Sequence, residues 1–149
     1  MPEMEIRFAR PEDFEQWLPL WRDYLDFYFE REDPAITKIT WQRFLDEKEP
    51  MHALVAVRDR QVAGFAHLIG HRSTWSIKNR LYLNDLFVAK AHRQNGLARQ
   101  LVEQAQRFAA SNGYDWLYWT TREGNDAAQT LYNQIADKTD FVQYRIFIE

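Results

Sequence analysis

Leu81-Tyr82-Leu83-Asn84-Asp85-Leu86-Phe87-Val88, then Ala89-Lys90-Ala91-His92, then Arg93-Gln94-Asn95-Gly96-Leu97-Ala98-Arg99-Gln100-Leu101 is the stretch that decides the fold. Its first part is apolar and aromatic and has the length of a strand. Its last part opens a helical pattern, with Leu97, Leu101, Ala105 and Phe108 on one face. A short polar loop with one glycine lies between, so the predicted order is strand, loop, helix N-terminus. The first turn of a helix carries backbone N–H groups with no partner inside the helix. The helix dipole adds partial positive charge there. Together they suit an anion, phosphate above all. Gly96 has no Cβ to hold a bulky ligand away from the backbone, and Arg93 and Arg99 add positive charge on either side.

The commoner glycine motifs do not fit. A P-loop ends in Gly-Lys-Ser/Thr, which is absent, and the dinucleotide fingerprint needs three glycines where only Gly96 is present. Arg93-Gln94-Asn95-Gly96-Leu97-Ala98 instead fits Q/R-x-x-G-x-G/A and resembles the signature of the GNAT superfamily of acetyl-CoA-dependent N-acetyltransferases. Asn84-Asp85-Leu86-Phe87-Val88 looks like that family's central strand. Gly124-Asn125-Asp126-Ala127-Ala128-Gln129-Thr130-Leu131-Tyr132 looks like its downstream Asn…Ala…Tyr segment. The resemblance runs from about Glu5 to the C-terminus and is specific from Leu81 to Tyr132. Its nearest flavour is the polyamine and thialysine acetyltransferase branch.

Length and composition agree with one such domain spanning residues 1–149. Hydrophobic residues make up 46% of the chain, enough for a core, and aromatics 15%, with six Trp. A formal net charge of −3 argues against wholesale nucleic-acid binding and leans toward a cationic substrate. The absence of Cys excludes disulfides, a thiolate nucleophile and cysteine metal sites. No apolar run has membrane-spanning length and the N-terminus has no secretory apolar region, so a cytoplasmic location is expected.

Residues 5–9 alternate as a first strand, and Arg10-Pro11-Glu12-Asp13 reads as a helix start. Phe14, Trp17, Leu18, Trp21, Tyr24, Leu25 and Tyr28 recur at helical spacing, with Pro19 expected to kink or delay the helix. Residues 30–34 form an acidic connector, and Trp41, Phe44 and Leu45 a second short helix stopped by Pro50. Residues 52–58 and 62–69 read as a hairpin about a turn at Asp59-Arg60-Gln61, and residues 70–79 as a polar loop holding His71 and Trp75. After the central unit the helix ends at Asn112-Gly113, a C-cap signal. Residues 116–121 form a strand, Asn125 or Asp126 caps a helix to about Asp137, and residues 141–148 form a last strand. An antiparallel start followed by strand-helix-strand-helix-strand gives a mixed α/β sheet with helices on both faces. The resemblance sharpens this to a mostly antiparallel six- to seven-stranded sheet with about four helices.

The resemblance also implies the site. The backbone amides of about Gln94 to Arg99 hold the pyrophosphate of coenzyme A, so Arg93, Gln94, Asn95, Gly96, Leu97, Ala98 and Arg99 are cofactor-binding candidates. Leu86, Phe87 and Val88 present backbone groups to the pantetheine arm where the central strand splays from its neighbour; a β-bulge is the usual device for such splaying. Asn125, Ala128 and Tyr132 complete the acetyl-CoA site, and no metal is expected. Tyr132 matches the family's general acid, which protonates the leaving thiolate. The ordinary alternative is a core tyrosine with a satisfied hydroxyl.

The general base is less defined. Asn84 stands where polyamine-type relatives often carry Glu, and an amide cannot take a proton. Asp85 is the adjacent carboxylate and the second catalytic candidate, on the opposite strand face by simple alternation. Glu30 and His71 are further candidates. Trp21, Tyr24, Phe27, Tyr28, Glu30, Glu32 and Asp33 mix aromatics with acids: either a half-buried helix with a solvated end, or in part a pocket for an ammonium. Tyr28, Glu30, Trp75 and Asn84 are the substrate-facing candidates. The expected activity is acetylation of a primary amine on a small, cationic molecule. The rivals are a peptide or protein amine acetyltransferase and a non-catalytic acyl-CoA-binding regulatory module. By resemblance the partner is a second copy, in a homodimer.

Overall fold

A computed structural model describes residues 4–149. Strand β1 (Met4–Phe8) leads through a 3₁₀ turn (Pro11–Asp13) into helix α1 (Phe14–Phe27) and then α2 (Pro34–Leu45). Strands β2 (Met51–Arg58), β3 (Gln61–His71) and β4 (Asn79–Val88) follow, then α3 (Leu97–Ser111), β5 (Tyr114–Tyr118) and α4 (Asp126–Ile135). The sheet runs β1-β2-β3-β4-β5, antiparallel until β4 and β5, which pair in parallel. Among the described residues no helix is long and apolar enough to cross a membrane.

Alternation along β2 and β3 divides the core into two. Leu54, Ala56, Ala66 and Leu68 face α3, where Leu97, Leu101 and Ala105 are buried at the predicted helical spacing. Val55 and Phe65 face the other way, against Trp17 of α1 and Trp41 of α2. Both faces of the central strands are therefore covered, one by aliphatic and one by aromatic side chains.

Several local expectations shift by a few residues for identifiable reasons. The β2–β3 turn needs only Asp59 and Arg60, both at positive φ, so Gln61 already pairs with Arg58. Asp33 caps α2 by accepting from the Ala35 amide at 2.9 Å, so α2 begins at Pro34 and not near Trp41. Helix α1 runs through Pro19 without interruption. Asp13 anchors its start to β1 through a two-pronged ion pair with Arg7, at 2.7 and 3.0 Å.

One expectation is corrected. Among the described residues the sheet has five strands and not six or seven, because residues 141–148 join no ladder. Their composition is that of a strand, yet Phe141, Val142, Tyr144, Ile146, Phe147 and Ile148 are 72–91% exposed.

Candidate active site

The site is built around an irregularity in β4. His67 of β3 pairs with Asp85, but the next residue, Leu68, pairs with Leu83, so Asn84 is an extra residue in the ladder. This is a β-bulge. It breaks the alternation that would have put Asn84 and Asp85 on opposite faces. Leu81 and Leu83 before it, and Leu86 and Val88 after it, all pack toward α3. Asp85 and Phe87 consequently turn toward α1, on the same side as Asn84, whose amide donates to Asp85 Oδ1 at 3.0 Å.

Downstream of the bulge the strand loses its other neighbour. β5 pairs with β4 only over Asn79, Arg80, Leu81 and Tyr82. Residues 83–88 have no strand on that side among the described residues, while β3 stays paired as far as Val88. The result is a wedge-shaped opening with backbone groups of β4 on one wall, the arrangement that strand-like binding of an extended ligand requires.

The loop after β4 closes the end of this opening. Arg93 Nε donates to the Val88 carbonyl at 3.0 Å, pinning the loop to the strand end. Gln94 and Gly96 both adopt left-handed φ, +65° and +76°. Asn95 holds the turn between them by donating toward the His92 and Arg93 carbonyls at 3.3 and 3.4 Å. Space is not what calls for glycine at position 96, since an added Cβ would meet nothing nearer than Gln100 at 3.9 Å; the backbone angle calls for it. The first bond within α3 runs from the Gln100 amide to the Gly96 carbonyl, leaving the amides of Leu97, Ala98 and Arg99 without a partner among the described residues at the helix start. They border a cavity of about 310 Å³ walled by Val88, Arg93 and Gly96 and, from α4, by Ala127 and Leu131. Arg99 reaches across to Gln134 of α4 at 2.6 Å. Converging amides, a helix dipole and two arginines fit a pyrophosphate.

Helix α4 is set by its cap: Asn125 accepts from the Ala128 amide at 3.4 Å. Its cavity wall at Leu131 is followed directly by Tyr132, half-buried, with Trp119 edge-on at 5.3 Å. The Tyr132 hydroxyl makes no hydrogen bond to protein among the described residues, unlike a satisfied core tyrosine. Burial first, and the neighbouring Tyr28 second, raise the phenol above its ordinary value of 10.0, so the proton stays in place at neutral pH. Tyr28 reaches this position from the end of α1. Arg122, on the loop before α4, lies 4.9 Å from the Tyr28 ring and donates to the Tyr28 carbonyl at 3.4 Å.

Asp85 sits at the bottom of this aromatic group with its side chain 12% exposed. His67 Nδ1 lies 2.8 Å from Asp85 Oδ2, and Trp17 Nε1 donates to His67 Nε2 at 3.1 Å. The Tyr24 hydroxyl stands between Asp85 and Tyr28, and burial, with these neighbours, holds it far above the ordinary tyrosine value. Burial alone would raise the Asp85 carboxyl. The donors His67, Asn84 and Tyr24 outweigh it and hold the carboxyl below the ordinary range. A carboxylate so satisfied is a poor proton acceptor; it fixes the geometry around it instead.

The remaining candidates disperse. Glu30 is exposed, with no ion pair among the described residues. Glu32 accepts from Arg22 and Thr37 and ties α1 to α2, and Asp33 caps α2, so both have structural tasks. Trp75 lies away from Tyr28, near the start of β4, with Arg80 at 5.6 Å from its ring. His71 bonds to the Tyr118 hydroxyl at 2.6 Å at the same end. Tyr24 was visible in the sequence as one aromatic of a helical stripe and of the mixed aromatic and acidic set, with nothing to mark its contact with Asp85. His67 carried no signal, being one residue inside a strand whose partner lies 18 positions away.

The model of the acetyltransferase (GNAT) family matches residues 14–136. The chain belongs to the GNAT family. The D-amino-acid N-acetyltransferase HPA3 of Saccharomyces cerevisiae is 32% identical over 142 residues, 94% of this chain and 88% of that protein. The thialysine N-epsilon-acetyltransferase of Caenorhabditis elegans is 24% identical over 135 residues, 91% of this chain and 83% of that one. A crystal structure of a probable acetyltransferase superposes with a TM-score of 0.85 at 26% identity, covering 97% of this chain and 98% of the other. This GNAT protein is therefore an acetyl-CoA-dependent N-acetyltransferase, and its mixed sheet with helices on both faces is the family's fold.

Proposed function

We propose that the protein, as a single GNAT domain, acetylates the primary amine of a small molecule carrying a second charged group, by direct attack within a ternary complex. The observation that carries this reading is the free hydroxyl of Tyr132, half-buried between the α3 cavity and the Tyr24–Tyr28–Asp85 group. Bound acetyl-CoA supplies an activated acyl group as a thioester. Backbone groups of residues 86–88 that face away from β3 align its pantetheine arm, and a backbone N–H near Val88 polarises the acyl carbonyl. The amine nitrogen bonds to the carbonyl carbon, the carbon–sulfur bond breaks, and Tyr132 gives its proton to the departing sulfur. The attacking nitrogen, neutral when it bonds, loses its proton to solvent, and Tyr132 regains one from solvent. Asp85 stays ionised, positions Asn84 and Tyr24, and supplies negative potential toward an incoming ammonium. Holding amine and thioester in contact contributes the rest of the rate.

Arg122 favours a specific class of acceptor within this reading. Among the described residues it has no ion-pair partner, and it stands over Tyr28. An acceptor carboxylate would pair with it, as an amino-acid substrate would, and HPA3 is named for D-amino acids. A cationic side chain would instead use the aromatic faces and the field of Asp85. Release of free thiol from acetyl-CoA should be measured with diamines, D- and L-amino acids, neutral amines and a short peptide. Turnover on a doubly charged small molecule, with an advantage over neutral amines that shrinks as salt rises, is the expected result. Turnover only on the peptide, or binding of acetyl-CoA without turnover on any amine, would overturn it. A homodimer in the cytoplasm belongs to the same reading; the exposed apolar side chains of residues 141–148 support the dimer alone.

A further inference from the structure

Arg80 lies at the start of β4, at the opposite end of the strand from the loop that leads into α3. Its guanidinium carbon is 3.5 Å from the centre of the Trp116 ring and 5.6 Å from that of Trp75. Its side chain is only 13% exposed. A charge held so far from water is normally satisfied by hydrogen bonds. Here Nε is buried with no hydrogen-bond partner, and its ion-pair partner Asp115 Oδ1 stands 3.8 Å away, beyond hydrogen-bonding distance. The guanidinium carries further donors in a planar fork, and they too make no hydrogen bond among the described residues.

These donors border a cavity of about 390 Å³, within the range of small-molecule sites. Arg72, Ser73 and Thr74 of the loop between β3 and β4 line it with Arg80, and no acidic residue does. In a chain of net charge −3 this is a locally cationic recess. The Ser73 hydroxyl accepts from the Trp75 amide at 3.0 Å and so fixes the loop, while the Trp75 ring beside the cavity stays 72% exposed. An open indole face next to unsatisfied guanidinium donors offers stacking and charge pairing together. We propose that this cavity is a second ligand site, for a small molecule that carries a planar aromatic ring and a carboxylate or phosphate. The anion pairs with the fork of Arg80, supported by Arg72, and the ring lies on Trp75. The site is separate from the acetyl-CoA opening, because Arg80 and Val88 stand at opposite ends of β4, about 26 Å apart along an extended strand. It rests on neither the choice of acceptor nor the role of Tyr132.

Phenyl phosphate is the probe, with inorganic phosphate supplying the charge alone and benzyl alcohol the ring alone. The full chain is kept saturated with coenzyme A, so that the anion site at α3 is filled, and no amine is added. Binding is read by NMR from the indole N–H signals of Trp75 and Trp116, identified through Trp75→Phe and Trp116→Phe. Millimolar phenyl phosphate should shift both signals saturably and bind more tightly than either half. Arg80→Gln should weaken it at least about tenfold, as expected for a lost charged hydrogen bond. Trp75→Ala, at an exposed position that the fold does not need, should weaken it as well and decides the matter if Arg80→Gln does not fold. Unmoved signals, phenyl phosphate binding no better than inorganic phosphate or benzyl alcohol, or binding that survives both substitutions would overturn the proposal. None of these readouts involves turnover, so such a failure would leave the acetylation reading untouched.

Discussion

Trp17 Nε1 donates to His67 Nε2 at 3.1 Å, and this one bond decides where the imidazole proton sits. An indole nitrogen can only donate, so Nε2 must accept and the ring proton lies on Nδ1, directed at Asp85 2.8 Å away. The contact between His67 and Asp85 is thus a hydrogen bond to a carboxylate and not an ion pair. Trp17→Phe removes the donor while keeping most of the packing. It should release Nε2, detectable as a changed imidazole nitrogen spectrum by NMR, and lower stability by about 1–3 kcal/mol for the buried acceptor left unpaired. An unchanged spectrum would contradict the tautomer.

Asp85 and Asp13 make stability fall in acid. Burial opposes ionisation of Asp85, but His67, Asn84 and Tyr24 hold its carboxyl below the ordinary 3.8. Burial likewise opposes ionisation of Asp13, and Arg7 with the Arg10 amide outweighs it. A depressed folded-state value means the unfolded chain binds the proton first. The stabilisation is therefore complete above 3.8 and is lost as pH falls through the folded values. Denaturant midpoints should drop steeply below about pH 4. Asp85→Asn should lower stability at pH 7 and flatten part of that acid slope.

Gly96 holds φ at +76° beside the unpartnered amides of α3. Gly96→Asp adds both strain and negative charge at the proposed pyrophosphate site, and acetyl-CoA affinity measured by calorimetry should fall at least about tenfold, 1.4 kcal/mol. Gly96→Ala isolates the strain, about 1 kcal/mol in stability, with a smaller loss of affinity. A folded Gly96→Asp protein with unchanged affinity would remove the pyrophosphate from this loop.

Tyr132→Phe keeps the ring against Trp119 and deletes a hydroxyl that bonds to no protein group among the described residues. If that hydroxyl protonates the thiolate, kcat should fall about 10²-fold or more. Acetyl-CoA affinity and Tm should barely move, since the interaction belongs to the transition state. Preserved turnover with a lowered Tm would return Tyr132 to an ordinary packing role.

The sequence by itself determined the local elements. The spacing of Leu97, Leu101 and Ala105 sets the buried face of α3, and Gly96 marks the left-handed residue before it, because helix periodicity and backbone freedom are properties of neighbours along the chain. The tertiary structure decided what depends on distant partners. The extra residue Asn84 exists only relative to the register of β3, so alternation along β4 alone put Asp85 on the wrong face. The His67–Asp85 contact and the approach of Tyr28 to Tyr132 join segments brought together by sheet pairing and by Arg122. The strand pattern of residues 141–148 was plain in the sequence, but whether a strand forms depends on an edge to pair with, and these residues pair with none among the described residues.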